Sequence, residues 1–318
     1  MNVTIDFGGT NIKVGLVQDG KLLAKSSIPA WSDSGLLARL SDSARSVREL
    51  LAEVGAELSQ CVGIGIALPG IVDSRRKTLT SINEKYTDAI GFDFSRWAKE
   101  EFGLPIAVEN DARAALIGEA AYGAAQGEKD AVLIIFGTGI GTAALMDGQV
   151  LRGRHHQAGI LGGHLSTDLE GEPCACGNVG CVEAQASHWA IPIRASKLPG
   201  FANSSLANDR EWGYEAVIKA SADGDVFASE LLEDLIRHWS AGIVNLVHAY
   251  DPEVVLLSGG LMKSSELLLP RLQERVGALA WTPWGKPRFA VAEDPEISAL
   301  LGMSFMAEQA AAVSGAEG

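Results

Sequence analysis

Asp6-Phe7-Gly8-Gly9-Thr10-Asn11 closes one apolar run, Asn2 to Phe7, and opens a second, Ile12 to Val17. The pattern predicts a strand, a glycine turn and a returning strand. Glycines at the bend let backbone N–H groups approach phosphate oxygens with no Cβ in the way. Thr10 adds a hydroxyl. Asp6, at the end of a buried strand, is placed to hold Mg²⁺ directly or through water. Gly8, Gly9, Thr10 and Asn11 are therefore candidate phosphate contacts.

The same phrase recurs further along. Phe136-Gly137-Thr138-Gly139 precedes a second apolar run, and each copy ends at a hairpin signal, Asp19-Gly20 or Asp147-Gly148. The repeat suggests two related halves, and alternating strands and helices within each half favour an α/β class. A third glycine turn, Ser258-Gly259-Gly260, follows the strand Val254 to Leu257. Any one of these turns alone reads as an ordinary hairpin. Three of them with Asp6 read as nucleotide binding. The phrase is no Walker A loop, which needs a Lys-Ser/Thr after its last glycine. It is no dinucleotide fingerprint either, because a strand rather than a helix follows Asn11.

Between these turns the sequence predicts a strand from Lys21 to Lys25, a helix from about Leu36 to Val54, and a strand Cys61 to Ala67 running into Leu68-Pro69-Gly70. A short strand then ends at Glu109-Asn110-Asp111, before an alanine-rich helix. Asp111 at a strand end is a candidate general base, and the competing reading is a helix N-cap.

Three of the four cysteines share one loop. His164, Cys174, Cys176 and Cys181 have the number, type and spacing of tetrahedral Zn²⁺ ligands, with Gly177 and Gly180 permitting a tight wrap. No ligand position is left open, so a metal there is structural. Cys61 reads as core within its strand, and His155-His156 as a solvated loop pair.

The 318 residues carry a net charge of −14, which argues against nucleic acid or an anionic membrane as a partner. The early Asp6 and glycines interrupt any signal-peptide core. With the clustered thiols this points to a reducing, cytoplasmic setting.

These residues together resemble the ROK family of bacterial sugar kinases, in the actin/hexokinase-like superfamily. The resemblance rests on the turns at Asp6 and Gly137, on Leu68-Pro69-Gly70-Ile71-Val72-Asp73, on Asn110-Asp111, and on the cysteine loop running to Glu183. It implies a two-lobed, duplicated ribonuclease-H-like fold, with ATP and sugar in the cleft. It also implies Asp111 as catalytic base, Asn110 and Glu183 as sugar contacts, and His164 as both zinc ligand and sugar-orienting residue. A substrate asparagine after Val72 is implied as well, for which Asn83 is the candidate. The lobes expected are 1–118, completed by a helix over 296–312, and 119–295. A homodimer is expected, with phosphate going to the 6-hydroxyl of a hexose. The alternative is a non-catalytic or degenerate sugar sensor. Two departures stand out. Leu161 occupies the place where the family carries a sugar-gripping acid, three residues before the histidine. Thr142-Ala143 replaces glycines.

Overall fold

The computed structural model describes residues 1–83, 85–208 and 212–316. The chain forms two compact units. One comprises Met1–Gly127, Val150–Ala158 and Glu293–Gly318, the other Glu128–Gln149 and Gly159–Ala292.

In the first unit β1 (Asn2–Phe7) pairs antiparallel with β2 (Asn11–Gln18), which turns into β3 (Lys21–Pro29). Asp19 and Gly20 at that turn have φ of 50° and 71°, the left-handed pair that a two-residue hairpin requires. The strand expected over Lys21 to Lys25 runs four residues further. The helix expected over Leu36 to Val54 is a 3-10 turn, Leu37–Arg39, followed by α1 (Leu40–Glu53). The next strand, β4 (Gly63–Leu68), starts two residues after Cys61, which is buried just ahead of it. A small hairpin, β5 (Ile71–Asp73) and β6 (Thr78–Ser81), and α2 (Phe94–Glu101) lead into β7 (Ile106–Asn110) and α3 (Asp111–Tyr122). The sheet order is β3-β2-β1-β4-β7, with β1, β4 and β7 parallel.

Alternation along these strands gives the sheet two unlike faces. Val3, Ile5, Phe7, Ile64, Ile66 and Val108 join the core cluster that holds Leu40, Val47 and Leu50 of α1. The other face is small: Gly63, Gly65, Ala67 and Ala107. The C-terminal helix (Ser298–Ala316) lies on it, with Met303 packed among Ala67, Ala107 and Ala114. The approach is close. A Cβ on Gly65 would stand 2.3 Å from Met303 O, and one on Gly302 only 1.8 Å from Ala114 O. Asn2 ties the helix to the first strand through Ser304 Oγ (2.9 Å) and Glu308 Oε1 (2.8 Å).

The second unit repeats the plan. β8 (Ala131–Phe136), β9 (Ile140–Met146) and β10 (Gln149–Val150) are followed, after α4 (Val182–Ala186), α5 (Ala190–Ala195), α6 (Tyr214–Ala222) and α7 (Val226–Tyr250), by β11 (Val254–Ser258), α8 (Ser265–Leu279) and β12 (Arg288–Val291). The order β10-β9-β8-β11-β12 reproduces that of the first sheet, again with the last three strands parallel. Asp147 and Gly148 repeat the left-handed hairpin, with φ of 51° and 75°. No helix among the described residues is long and apolar enough to cross a membrane.

Candidate active site

Parallel strands gather ligand sites at their carboxyl ends. In the first unit three such ends come together: Asp6 near the end of β1, Leu68-Pro69-Gly70 at the end of β4, and Asn110-Asp111 at the end of β7. Asn110 joins the second of these to the third. Its Oδ1 accepts from Arg113 N at 3.1 Å, so Asn110, not Asp111, caps α3. Its Nδ2 donates to Gly70 O (3.0 Å) and to Asp111 Oδ1 (2.9 Å). Asp111 Oδ1 also accepts from Ala112 N at 2.8 Å. The tight turn at Gly70 has φ 87°, and a Cβ there would stand 2.5 Å from Ser81 O.

Burial pushes the Asp111 carboxyl up to about 7, the charge of Asp6 adds to the rise, and the Ala112 and Asn110 hydrogen bonds oppose it. Asp6 rises to about 6, also by burial. Lys13, its register partner on β2, opposes that shift, and Glu296 assists it. Lys13 is itself paired with Glu296 at 2.9 Å. The two carboxyls are thus raised by burial and coupled by charge.

The glycine turn beside Asp6 has three consecutive carbonyls tied down from outside. Tyr86 Oη donates to Gly8 O (2.8 Å), Ser32 Oγ to Gly9 O (2.8 Å), and Ala30 N to Thr10 O (2.9 Å). Tyr86 is buried with left-handed backbone, φ 55°, and its phenol is pushed up to about 12 by burial. Sequence reasoning passed over Tyr86 and Ser32, because nothing in their local pattern separates a turn anchor from a core residue. Asn83 is exposed, and its carbonyl accepts from Lys85 N at 2.8 Å.

Next to Asp111 lies a buried charge network the sequence did not disclose. Glu109 and Arg113 are both fully buried and 3.3 Å apart, and Arg152 Nη2 reaches Glu109 at 2.7 Å. Arg113 further donates to the carbonyls of Leu151 (2.7 Å), His156 (2.9 Å) and Ala158 (2.8 Å). It fixes the 150–158 segment to the helix that starts at Asp111. His156 is not the solvated residue expected. Its Nε2 lies 3.4 Å from Asp73, with φ 60° at its own backbone, while His155 is exposed.

In the second unit the corresponding strand ends carry Gly137-Thr138-Gly139 and Gly259-Gly260. Gly259 has φ 93°, and a Cβ there would stand 2.3 Å from Phe136 O, so only glycine fits. Gly137 N donates to Gly139 O (3.1 Å) and Trp189 N to Thr138 O (3.2 Å). A cavity of about 820 Å³ opens beside these turns, lined by Gly137, Thr138 and Gly260 and walled by Trp189, Trp212 and Tyr214. Glu183 Oε2 accepts from Ile140 N at 2.8 Å. Thr142, where glycines were expected, bridges the next loop: its hydroxyl donates to Gly159 O (2.7 Å) and accepts from Gly162 N (2.8 Å). That loop carries Leu161, 40% exposed, into the turn Gly162–His164.

His164, Cys174, Cys176 and Cys181 converge, their ligand atoms all within 4.8 Å of one another. Cys174 Sγ is 3.5 Å from His164 Nδ1, and Cys176 Sγ is 3.7 Å from Cys181 Sγ. Tetrahedral Zn²⁺, with bonds of about 2.3 Å to sulfur and about 2.0 Å to nitrogen, would place such pairs about 3.5 and 3.8 Å apart. The cluster fits the ion. All four cysteines of the chain are free of disulfides.

Two units built on one strand order, each with a glycine turn after its first strand, define an actin/hexokinase-like fold. Residues 2–310 match the ROK family, and the chain belongs to that family. It is 30% identical over 286 residues to the glucokinase of Halalkalibacterium halodurans, covering 87% of this chain and 86% of that one. The crystal structure of the ROK hexokinase from Thermus thermophilus is 30% identical with a TM-score of 0.77, covering 99% of both chains. A ROK family glucokinase from Streptomyces griseus, solved with glucose and AMPPNP, is 26% identical with a TM-score of 0.77, covering 97% of this chain and 99% of that one.

Proposed function

We propose that this chain transfers the γ-phosphoryl group of ATP to the 6-hydroxyl of a hexose-type sugar, with Asp111 as general base. Family membership supports an ATP-dependent sugar kinase. The observation that carries the assignment of roles is the Asp6–Asp111 arrangement: two carboxyls raised by burial, one beside a glycine turn whose carbonyls are pinned, the other oriented by Asn110.

Phosphoryl transfer asks the protein mainly for alignment, a proton acceptor and charge around the phosphates. Asp111 takes the proton of the attacking hydroxyl, and a carboxyl raised to about 7 is a stronger base than an ordinary aspartate. Asp6 is, among the described residues, the carboxylate at the phosphate turn, which suits Mg²⁺, an ion that keeps most of its waters and takes phosphate oxygens. When bound, Mg²⁺ supplies positive charge to the phosphates. Gly8, Gly9, Thr10, Asn11 and Gly137, Thr138, Gly139 are assigned to phosphate, with Gly259 and Gly260 beside the nucleotide. The aromatic-walled cavity suits the nucleoside in size and character.

Zn²⁺ on His164, Cys174, Cys176 and Cys181 is assigned a structural role. Ligation through Nδ1 leaves Nε2 of His164 for a sugar hydroxyl. Glu183 and Asn83 are assigned to the sugar too. Asn110 spends its amide on Gly70 and Asp111, leaving the second lone pair of its oxygen for substrate. The test is an ADP-release screen over hexoses, N-acetylhexosamines and glycosides. Turnover with at least one sugar supports the kinase reading; ATP-independent sugar binding without turnover supports the sensor.

A further inference from the structure

We infer that Lys85 is a catalytic residue of this phosphoryl transfer, a cation held over the glycine turn to bind the γ-phosphate and its transition-state charge. The inference rests on the kinase reading above. A chain without a Walker lysine must find positive charge at the phosphates elsewhere. The other lysine near the turn, Lys13, is engaged by Glu296 and lies across from Asp6.

Lys85 stands differently. Its Nζ is 3.3 Å, and its Cδ 3.8 Å, from where a Cβ on Gly9 would be, so the ammonium hangs directly above the bend. A side chain at position 9 would occupy the space between the ammonium and the turn. No described carboxylate lies within ion-pair distance of Lys85. Its position follows from its neighbour. Tyr86 is buried with left-handed backbone, donates its phenol to Gly8 O and its N–H to Ser32 O (3.3 Å), while Ser32 holds Gly9 O. One anchor thus fixes both the turn and the residue that overhangs it. The three pinned carbonyls, Gly8, Gly9 and Thr10, are committed to protein donors, which leaves the turn's amides, the Thr10 hydroxyl and the Lys85 ammonium to meet an anion.

In the step itself the sugar oxygen forms a bond to the γ-phosphorus and the bond to the β,γ-bridging oxygen breaks. The hydroxyl proton passes to Asp111 and ADP leaves. Lys85 exchanges no proton or electron pair; it neutralises the equatorial oxygens as charge gathers on them.

Lys85→Met and Lys85→Arg test this in the full chain, with the best sugar from the screen and with direct binding of ATP and ADP. Lys85→Met should lower kcat by about 10²–10³-fold, the cost of removing one transition-state donor, with sugar KM little changed. Its affinity should fall for ATP but not for ADP, which lacks the γ-phosphate, and Lys85→Arg should recover much of both losses. Unchanged kcat with an unchanged ATP-to-ADP affinity ratio overturns the proposal. So does a rise confined to sugar KM, which would place Lys85 on the sugar. Should the wild type turn over no sugar, the kinase reading falls, and the ATP-to-ADP ratio still decides Lys85.

Discussion

Asn110 Nδ2 donates to Asp111 Oδ1 at 2.9 Å while Asn110 Oδ1 caps the helix that Asp111 begins. One side chain sets the backbone and the carboxylate of its neighbour together. Replacing it with alanine should lower stability by about 1 kcal/mol through the lost cap. It should also reduce kcat, because Asp111 loses a hydrogen bond that favours its ionised form. Melting temperature and kcat measured on Asn110→Ala separate the two effects. A variant with reduced stability and wild-type kcat would leave Asn110 a cap and nothing more.

Asp111→Asn removes the carboxylate proposed as the base. Turnover should fall by about two to four orders of magnitude, with ADP affinity retained. Near wild-type turnover would move the base elsewhere.

The same pair sets a pH dependence whose sign is fixed by the shifts. Asp6 and Asp111 are raised in the folded chain to about 6 and about 7, so between about pH 4, the ordinary aspartate value, and pH 7 the folded state binds more protons than the unfolded one. Stability contributed by these groups therefore declines as pH rises through that window. Without Mg²⁺ or nucleotide, and with its zinc retained, the protein should lose melting temperature from pH 5 to pH 8, and Asp111→Asn should flatten the slope. In kinetics the base must be ionised, so kcat/KM should climb with pH to a plateau above about 7. A flat profile from pH 5 to pH 8 contradicts the assignment.

Zinc should be present at about one ion per chain, as its four-ligand site requires. Cys176→Ser, which removes the exposed ligand, should release it and lower the melting temperature, because site formation is coupled to folding. Metal analysis of unsupplemented protein and a melting curve check both.

Glucose should not be the preferred sugar. Leu161, half exposed, offers no hydrogen bond where the family's acid grips a 1,2-diol. A lost charged hydrogen bond costs about 1.5–3 kcal/mol, or roughly one to two orders of magnitude in kcat/KM. Sugars modified at C1 or C2 escape that loss, and a side-by-side kcat/KM comparison decides it.

The strands, the two hairpins and the repeat were readable because glycine pairs and alternation leave local marks. Asp19-Gly20 and Asp147-Gly148 are the clearest, each with the two left-handed residues its turn needs. The cysteine loop was readable because its ligands are close in sequence. What escaped was non-local. Tyr86 reaches Gly8 across 78 positions, and Arg113 reaches Ala158 across 45. A buried arginine on an alanine-rich helix looks like any surface residue until its partners are known. The sequence reads Asn110 as a substrate contact and offers the cap only as the competing reading of Asp111, whereas Asn110 Oδ1 holds it.

The sheet face built from Gly63 and Gly65 has a consequence for how this chain is made. Its cover, the helix Ser298–Ala316, leaves the ribosome only after every strand of both units. The second unit ends at Ala292 and has all its strands by then, so it is free to fold during synthesis. The first unit, begun at residue 2, waits with one side of its sheet bare until Gly302 can seat against Ala114. Premature termination anywhere before Ser298 therefore yields not a shortened enzyme but a nascent chain with an open apolar sheet, a natural client for chaperones and proteases.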